Sequence, residues 1–269
     1  MPEGPQIKFT RDFLNQQFKN STIETINFLD GKYLKKNPDN WNLIKELLPI
    51  KTTKLFCKGK FIWFEFDSNN DIFLSNTLGL SGSWSKTKNK YTKIEIIDSN
   101  DKKTYYNDKL NYGTLKVMNK MELDKKLKTL GLDIMDHRNT SDDYLNLLKN
   151  IKKKTNREIG KVLMEQKYTA GCGNYIRADA LYLSKINPFK KIEEISDDDI
   201  RKLWTSLQQI SFYDYSIEDG LNKNIFSEEE FLLINQSRIY NKKIDKLGND
   251  IITEKMNDRT IHYCPNLQI

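Results

Sequence analysis

The residue pattern predicts an α+β fold: a strand-rich first half, a helical stretch, then a short strand-like tail. Two observations carry this. Residues 61–66, 71–74 and 93–97 are short runs of aromatic and β-branched side chains, punctuated by Ser68-Asn69-Asn70 and Asp98-Ser99-Asn100-Asp101, as strands and their turns are. From about Thr140 the apolar spacing lengthens to the helical period. In chain order, Ile7, Phe13, Leu14 and Phe18 predict a helix over residues 6–18, and the region to about Lys120 reads as mostly strand. Thr140-Ser141-Asp142-Asp143 predicts a capped helix start ahead of Tyr144, Leu145, Leu147, Leu148 and Ile151. Further helices are predicted over 157–166, 174–186 and 197–210. The last opens with Ser196 and three acidic residues, which complement a helix N-terminus and are structural on that reading. Past Asn235, residues 237–244 and 259–263 read as strands, with Gly248-Asn249 as a hairpin turn between them. There is no internal repeat.

A chain of 269 residues with 11% aromatics buries a real core in one or two domains. Its 44 Lys+Arg against 37 Asp+Glu give a net charge of +7, which admits a polyanionic partner such as nucleic acid. The abundance of Lys, Asn and Ile suggests an AT-rich coding genome, so basic runs such as Lys152-Lys153-Lys154-Thr155-Asn156-Arg157 fit solvated faces as well as phosphate contacts. Cys57, Cys172 and Cys264 form no C-x-x-C pair, and only His137 and His262 accompany them. That excludes a disulfide framework and a four-thiolate zinc site, and no metal or organic cofactor is expected. No apolar run approaches the roughly 18 residues of a membrane span, and the start lacks the apolar region of a signal peptide. The expectation is a soluble intracellular protein of a reducing compartment, cytosolic, nuclear or viral, with no membrane partner.

Met1-Pro2-Glu3-Gly4-Pro5 places two of the six prolines in five residues. With Met1 removed, Pro2 would expose a secondary amine able to attack a carbonyl-like carbon and form an iminium, with Glu3 beside it as general acid/base. A terminal amine titrates near 8, so it has a neutral fraction without the burial a Lys needs. Taken alone, these five residues fit better a Pro-stiffened terminus without chemistry. The second feature is Gly171-Cys172-Gly173-Asn174, a tight turn between two helices with Asn174 at an N-cap, whose backbone N–H groups suit a phosphate. Taken alone, such a turn is an ordinary helix connection.

Together, MPEGP and GCGNYIRADALYLSKINPF resemble the Fpg/Nei family of base-excision DNA glycosylases. Lys58-Gly59-Lys60 is similar to that family's G-K segment, Thr77-Leu78-Gly79-Leu80-Ser81-Gly82-Ser83-Trp84 to its H-L-G-M-S-G-x-W segment, and Asp258–Pro265 to its last hairpin. The motifs fall in family order from residue 2 to residue 265, and G-x-G-N-Y-x-R-A is nearest the Nei-like branch. With the AT-rich composition, this suggests a giant-virus member.

The resemblance implies an N-terminal catalytic β-sandwich domain with flanking helices over 1–128 and a linker over 129–139. A helical domain with a helix-two-turns-helix motif would occupy 140–234, and an antiparallel β-hairpin finger 235–269. It implies Pro2 as nucleophile at C1′ of the damaged nucleotide, Glu3 as general acid/base, and β,δ-elimination after base loss. Lys60, Asn174 and Arg259 would hold the flanking phosphates, with Gly173 in the same turn. Individually, Lys60 also fits a solvated strand-end charge, Asn174 a plain N-cap and Arg259 a surface residue. Cys57 and Cys172 read as small buried thiols, and Arg177 and Asp179 as structural charges, although Asp179 could help to orient the hairpin.

Departures from the family pattern also inform. Cys264 stands at a ligand-like position, but Leu267 takes the place of its partner, so a zincless finger packed through Ile244, Leu247, Ile251, Ile261 and Tyr263 is expected. Leu80 takes the place of a wedging Met, Tyr112 of a stacking Phe and Leu110 of a void-filling Arg, which implies weak discrimination of the opposite base. Residues 212–235 leave little room for a lesion-capping loop, so oxidised pyrimidines and hydantoins are favoured. An 8-oxoguanine/formamidopyrimidine-type glycosylase is the alternative. The expected partner is double-stranded damaged DNA, with a monomer the simpler state. A non-catalytic DNA-binding protein retaining the helix-two-turns-helix module, and a basic structural protein with no DNA role, remain open.

Overall fold

The computed structural model describes residues 1–18, 21–68, 71–152, 156–218 and 226–269. Asn69 and Asn70 of one expected turn, Lys153-Lys154-Thr155 of the basic run and residues 219–225 of the segment weighed for a capping loop lie outside them. By internal contacts the chain divides into one unit of Met1–Pro2 with Gln6–Thr129 and a second of Glu3–Pro5 with Leu130–Ile269.

The first unit is a β-sandwich. Helix α1 (Gly4–Phe18) leads to strand β1 (Thr22–Phe28), the short helices α2 (Lys32–Lys35) and α3 (Trp41–Leu47), strands β2 (Ile50–Lys58), β3 (Phe61–Phe66), β4 (Ile72–Thr77), β5 (Gly82–Ser85), β6 (Thr92–Asp98), β7 (Lys103–Asp108) and β8 (Thr114–Asn119), and helix α4 (Lys120–Lys128). The strands run in the order β5-β7-β6-β1-β2-β3-β4-β8. Among the described residues only Thr22↔Lys51 and Ile23↔Ile50 pair the two four-stranded halves, so the sheet folds over at that seam. Ile7, Leu14 and Phe18 from one face of α1 enter a core with Leu55, Phe64, Leu74, Trp84, Ile94 and Tyr106. Residues 93–97, a β-branched run in the sequence, lie in β6, where burial alternates at every residue. The turn after it closes on Asp98, whose Oδ1 accepts the N–H groups of Asn100 and Lys102 (2.9 and 3.0 Å).

The second unit is helical with a terminal hairpin: strand β9 (Leu132–Asp133), α5 (Ser141–Lys152), α6 (Ile159–Val162), strand β10 (Thr169–Ala170), α7 (Asn174–Leu183), a 3-10 turn (Ile192–Glu194), α8 (Asp197–Glu218), α9 (Glu228–Gln236) and strands β11 (Ile252–Met256) and β12 (Arg259–Tyr263). Thr140 and Asp143 cap α5 reciprocally, and the Ser196 hydroxyl accepts the Asp199 N–H, as the sequence predicts. Helix α8 runs past the predicted end at 210 because Tyr213 and Ser216 continue its buried stripe. The helix predicted over 157–166 is reduced to α6. The N–H groups of Ile159 and Gly160 turn outward to the carbonyls of Lys190 and Pro188 (2.9 and 3.0 Å), which ties the segment to a neighbouring strand-like stretch instead of a longer helix. Tyr144 stacks on Trp204 with ring centroids 4.8 Å apart at the centre of this core.

The terminal hairpin differs from the predicted one. Its turn is Asn257-Asp258, with Asn257 in the left-handed region at φ 54, and β12 pairs with residues 252–256 instead of 237–244. Gly248-Asn249 turns within a separate loop because the Asp245 carboxylate gathers the N–H groups of Leu247 and Asn249 (both 2.8 Å). Ile251, Ile261 and Tyr263 pack with Met256 and Cys264 against Ala178 and Tyr182 of α7, whereas Ile244 and Leu247 are exposed on that loop and do not join the packing expected of them. Among the described residues no three or more His, Cys, Asp or Glu side chains gather as a metal site, and no helix is long and apolar enough to cross a membrane.

Candidate functional site

The candidate residues fall into two groups, one in each unit. In the second unit they gather at the N-terminus of α7. Gly173 is the N-cap residue and offers no side chain, so the first-turn N–H groups need another acceptor. Glu3 supplies it. Its carboxylate accepts the N–H groups of Tyr175 (3.2 Å) and Ile176 (3.4 Å), and Gly4 N–H donates to Gly171 O at 2.9 Å. Glu3 is 1% exposed, so its carboxyl is held in one orientation immediately after Pro2 in the chain. These first-turn amides, expected from the sequence to serve a phosphate, thus serve an internal anion. Gly171, at φ 93, makes the turn possible, and Gln166 clamps it by accepting the Gly171 N–H (2.9 Å) and donating to Cys172 O (2.7 Å). Cys172 is buried, in keeping with a packing role.

Asn174 is 8% exposed and faces the hairpin. Its Nδ2 donates to Thr260 O at 2.9 Å, and its Oδ1 accepts from the Arg177 guanidinium. Arg177, 1% exposed, also donates to Thr260 O and Gly160 O (both 3.0 Å). Thr260 follows Arg259, so α7 fixes the strand that begins at Arg259, the exposed cation flanking the hairpin turn. Burial chiefly, helped by the Arg259 charge, brings the Arg177 guanidinium down to about 10 against the opposing pull of Cys172 and Glu3. Arg177 stays cationic at neutral pH, and two like charges here suit an anionic partner. The sequence marks Arg177 only as a structural charge; its part in holding the hairpin is read from its contacts. Replacing it, Arg177→Met, removes buried donors and is expected to cost about 2–3 kcal/mol, read as a lower unfolding midpoint with loss of amide protection at residues 259–263.

Asp179, one turn further along α7, is a second knot. Its Oδ1 accepts the N–H groups of Ile239 and Tyr240 (both 2.9 Å) where the chain leaves α9, and its Oδ2 meets Arg238 at 3.1 Å. Arg238 also pairs with Asp214 at 2.7 Å and lies over the Tyr175 ring. A buried carboxylate and a half-buried one thus share one guanidinium. Burial, reinforced by Asp214 and opposed by Arg238 and the two amides, pushes Asp179 up to about 7 from 3.8. A carboxyl raised on folding holds more protons in the folded than in the unfolded chain. Its contribution is therefore greatest at low pH and lost as pH rises from about 4 to about 7. Asp179→Asn keeps an oxygen acceptor for the two amides, and unfolding midpoints measured across that window are expected to fall less steeply with pH than in the wild type.

In the first unit, Lys60 is half-buried in the two-residue turn between β2 and β3, where Lys58 pairs with Phe61 and Gly59 takes φ 56. Leu80, Leu110 and Tyr112 lie on two loops, after β4 and after β7, and are 41%, 46% and 61% exposed while their neighbours Leu78 and Tyr106 are buried. The loops meet. Asp108 Oδ1 accepts the Ser81 hydroxyl (2.5 Å), its Oδ2 accepts Gly113 N–H (2.8 Å), and Ser81 Oγ accepts Leu110 N–H (2.9 Å). Ser81 stands beside Leu80 and Asp108 two residues before Leu110, yet spacing alone gives no sign that they bind each other.

Residues 1–115 match the family described as formamidopyrimidine-DNA glycosylase N-terminal domain, and residues 121–221 the formamidopyrimidine-DNA glycosylase H2TH domain. The chain is 26% identical over 297 residues to the formamidopyrimidine-DNA glycosylase of Prochlorococcus marinus (strain MIT 9301), covering 100% of both chains. It is 28% identical over 285 residues to that of Ureaplasma parvum serovar 3, again over 100% of both. In fold it is similar to the Lactococcus lactis formamidopyrimidine-DNA glycosylase solved non-covalently bound to DNA containing an AP site (TM-score 0.80, 22% identity, 99% of each chain). The protein from Thermus thermophilus is similar to the same degree (TM-score 0.79, 19% identity, 99% of this chain and 98% of that one).

Proposed function

The chain belongs to the formamidopyrimidine-DNA glycosylase family, and from that premise we propose that it is a bifunctional DNA glycosylase/AP lyase acting on damaged double-stranded DNA. The observation that carries the reading is the Glu3 carboxylate, buried and held by two helix N–H groups one residue after Pro2. Once Met1 is removed, the Pro2 nitrogen attacks C1′ of an extruded nucleotide; the glycosidic bond breaks, and the base leaves with its electron pair and takes up a proton. Glu3 takes the proton that the Pro2 nitrogen sheds on bonding to C1′ and passes it to the sugar ring oxygen as the C1′–O4′ bond opens, leaving an iminium between Pro2 and C1′, while the departing base draws its proton from solvent. The iminium acidifies the C2′ protons, so loss of one expels the 3′ phosphate and a second elimination expels the 5′ phosphate. Lys60, Asn174 and Arg259 hold the flanking phosphates, with Gly173 keeping backbone bulk low at the turn. Leu80, Leu110 and Tyr112 occupy the stack that the nucleotide leaves.

The family of the full-length relatives supports the alternative substrate class better. Formamidopyrimidine and related oxidised purines replace oxidised pyrimidines as the first expectation. The Nei-like, pyrimidine-directed reading is kept second on one observation, the shortness of segment 212–235, which leaves little room for a lesion-capping loop. The test is single-turnover excision from duplexes carrying one formamidopyrimidine, 8-oxoguanine, oxidised pyrimidine or hydantoin, each opposite all four bases. Formamidopyrimidine is expected to be cut fastest, with opposite bases differing by less than about tenfold because the apolar wedge offers no side-chain donor to the widowed base. Faster excision of the pyrimidine lesion would reinstate the second reading, and an inert protein that still binds duplex would favour a DNA-binding role without chemistry.

A further inference from the structure

The loops that carry Leu80 and Leu110–Tyr112 come from different strand connections, yet the structure joins them at three levels. Asp108, 1% exposed, reaches Ser81 with one oxygen and Gly113 N–H with the other. Ser81 passes the link on by accepting Leu110 N–H. Tyr106, buried beneath both, donates to Leu78 O at 3.3 Å and reaches Asp108 Oδ2 at 3.5 Å. The backbones also touch: a Cβ on Gly79, at φ +65, would stand 2.7 Å from Gly113 N and 2.8 Å from the Tyr112 carbonyl carbon, so this approach needs glycine. Three exposed apolar side chains are therefore carried by one hydrogen-bonded body.

We propose that Asp108 and Ser81 are positioning residues that lock the two loops into a single wedge, so that Leu80, Leu110 and Tyr112 enter the base stack as a unit. This rests on the glycosylase reading above. Unstacking a base step costs a few kcal/mol, and a wedge already ordered in the free protein loses none of its insertion energy to ordering loops on binding. Extrusion costs least where the base is already gone. The lock therefore matters for excising a base and little for processing an abasic site, a split that a general loss of structure would not produce.

The test compares wild type, Ser81→Ala and Ser81→Thr. Ser81 is half-buried and its loss removes one hydroxyl, so the fold survives; Thr restores the hydroxyl. In Ser81→Ala, formamidopyrimidine excision in single turnover should fall about tenfold, the effect of one charge-assisted hydrogen bond, while borohydride trapping on a preformed abasic duplex stays within about twofold. Amide hydrogen exchange should quicken at Leu110 and also at Gly113, whose acceptor is Asp108 and not Ser81. Ser81→Thr should recover both. Exchange confined to Leu110, unchanged excision, or equal losses of excision and trapping would overturn the lock. A wild-type protein that neither excises nor traps would overturn the glycosylase reading instead, with the exchange pattern still deciding whether the loops move together.

Discussion

A chain whose Pro2 nitrogen stays in a peptide bond, through an uncleavable extension ahead of it, is expected to form no borohydride-trapped adduct and to lose excision by about 10³-fold or more. An amide nitrogen has no lone pair to give to C1′, whereas a free proline amine does. The fold should be untouched, because Met1 is 46% exposed and the new residues would enter solvent. Unimpaired trapping by the extended chain would move the nucleophile elsewhere, with Lys60 the first residue to examine. Binding measured in parallel separates loss of chemistry from loss of the complex.

Glu3→Gln is expected to lower base excision by about 10²–10⁴-fold, the range for a positioned general acid/base, with an unfolding midpoint close to wild type. The amide keeps an oxygen that can accept one of the two α7 N–H groups, but it can neither give nor take the proton that ring opening requires. If Glu3 serves only as the missing cap of α7, its role is stability, and Glu3→Gln would shift the midpoint while leaving the single-turnover rate alone. The two readouts therefore assign Glu3 to chemistry or to capping without relying on either alone.

Much of the fold was legible because it rests on short-range signals. Ser196 and Thr140 announce helix starts through local capping, and the β-branched run at 93–97, closed by a turn-rich stretch, marks a strand. Where the reading failed, a distant partner had redirected the backbone. Gly248-Asn249 does reverse the chain, across the antiparallel bridge Ile244↔Asp250, but within a loop shaped by Asp245, and the turn that joins the two paired strands, Asn257-Asp258, lacks the glycine that would advertise it. The segment 157–166 has helical composition, but the carbonyls of Pro188 and Lys190 claim its amides. The candidate site divides in the same way. Pro2, Glu3 and Asn174 stand out because their residue types are chemically suggestive at those positions. Arg177, Ser81 and Asp108 do not, since a buried guanidinium or carboxylate acquires its role from the carbonyls and hydroxyls it meets, and sequence spacing does not name them.

The central claim, an N-terminal proline amine bonded to the sugar of a damaged nucleotide, is tested most directly by locating the bond. The wild-type chain is incubated with an abasic-site duplex, reduced with borohydride, digested and mapped by mass spectrometry. The expected product is one modified peptide, beginning at Pro2 with Met1 absent and carrying the reduced sugar remnant on the proline nitrogen. A remnant on Lys60 or any other lysine, or an unmodified N-terminal peptide recovered from a protein that has bound the duplex, would contradict it.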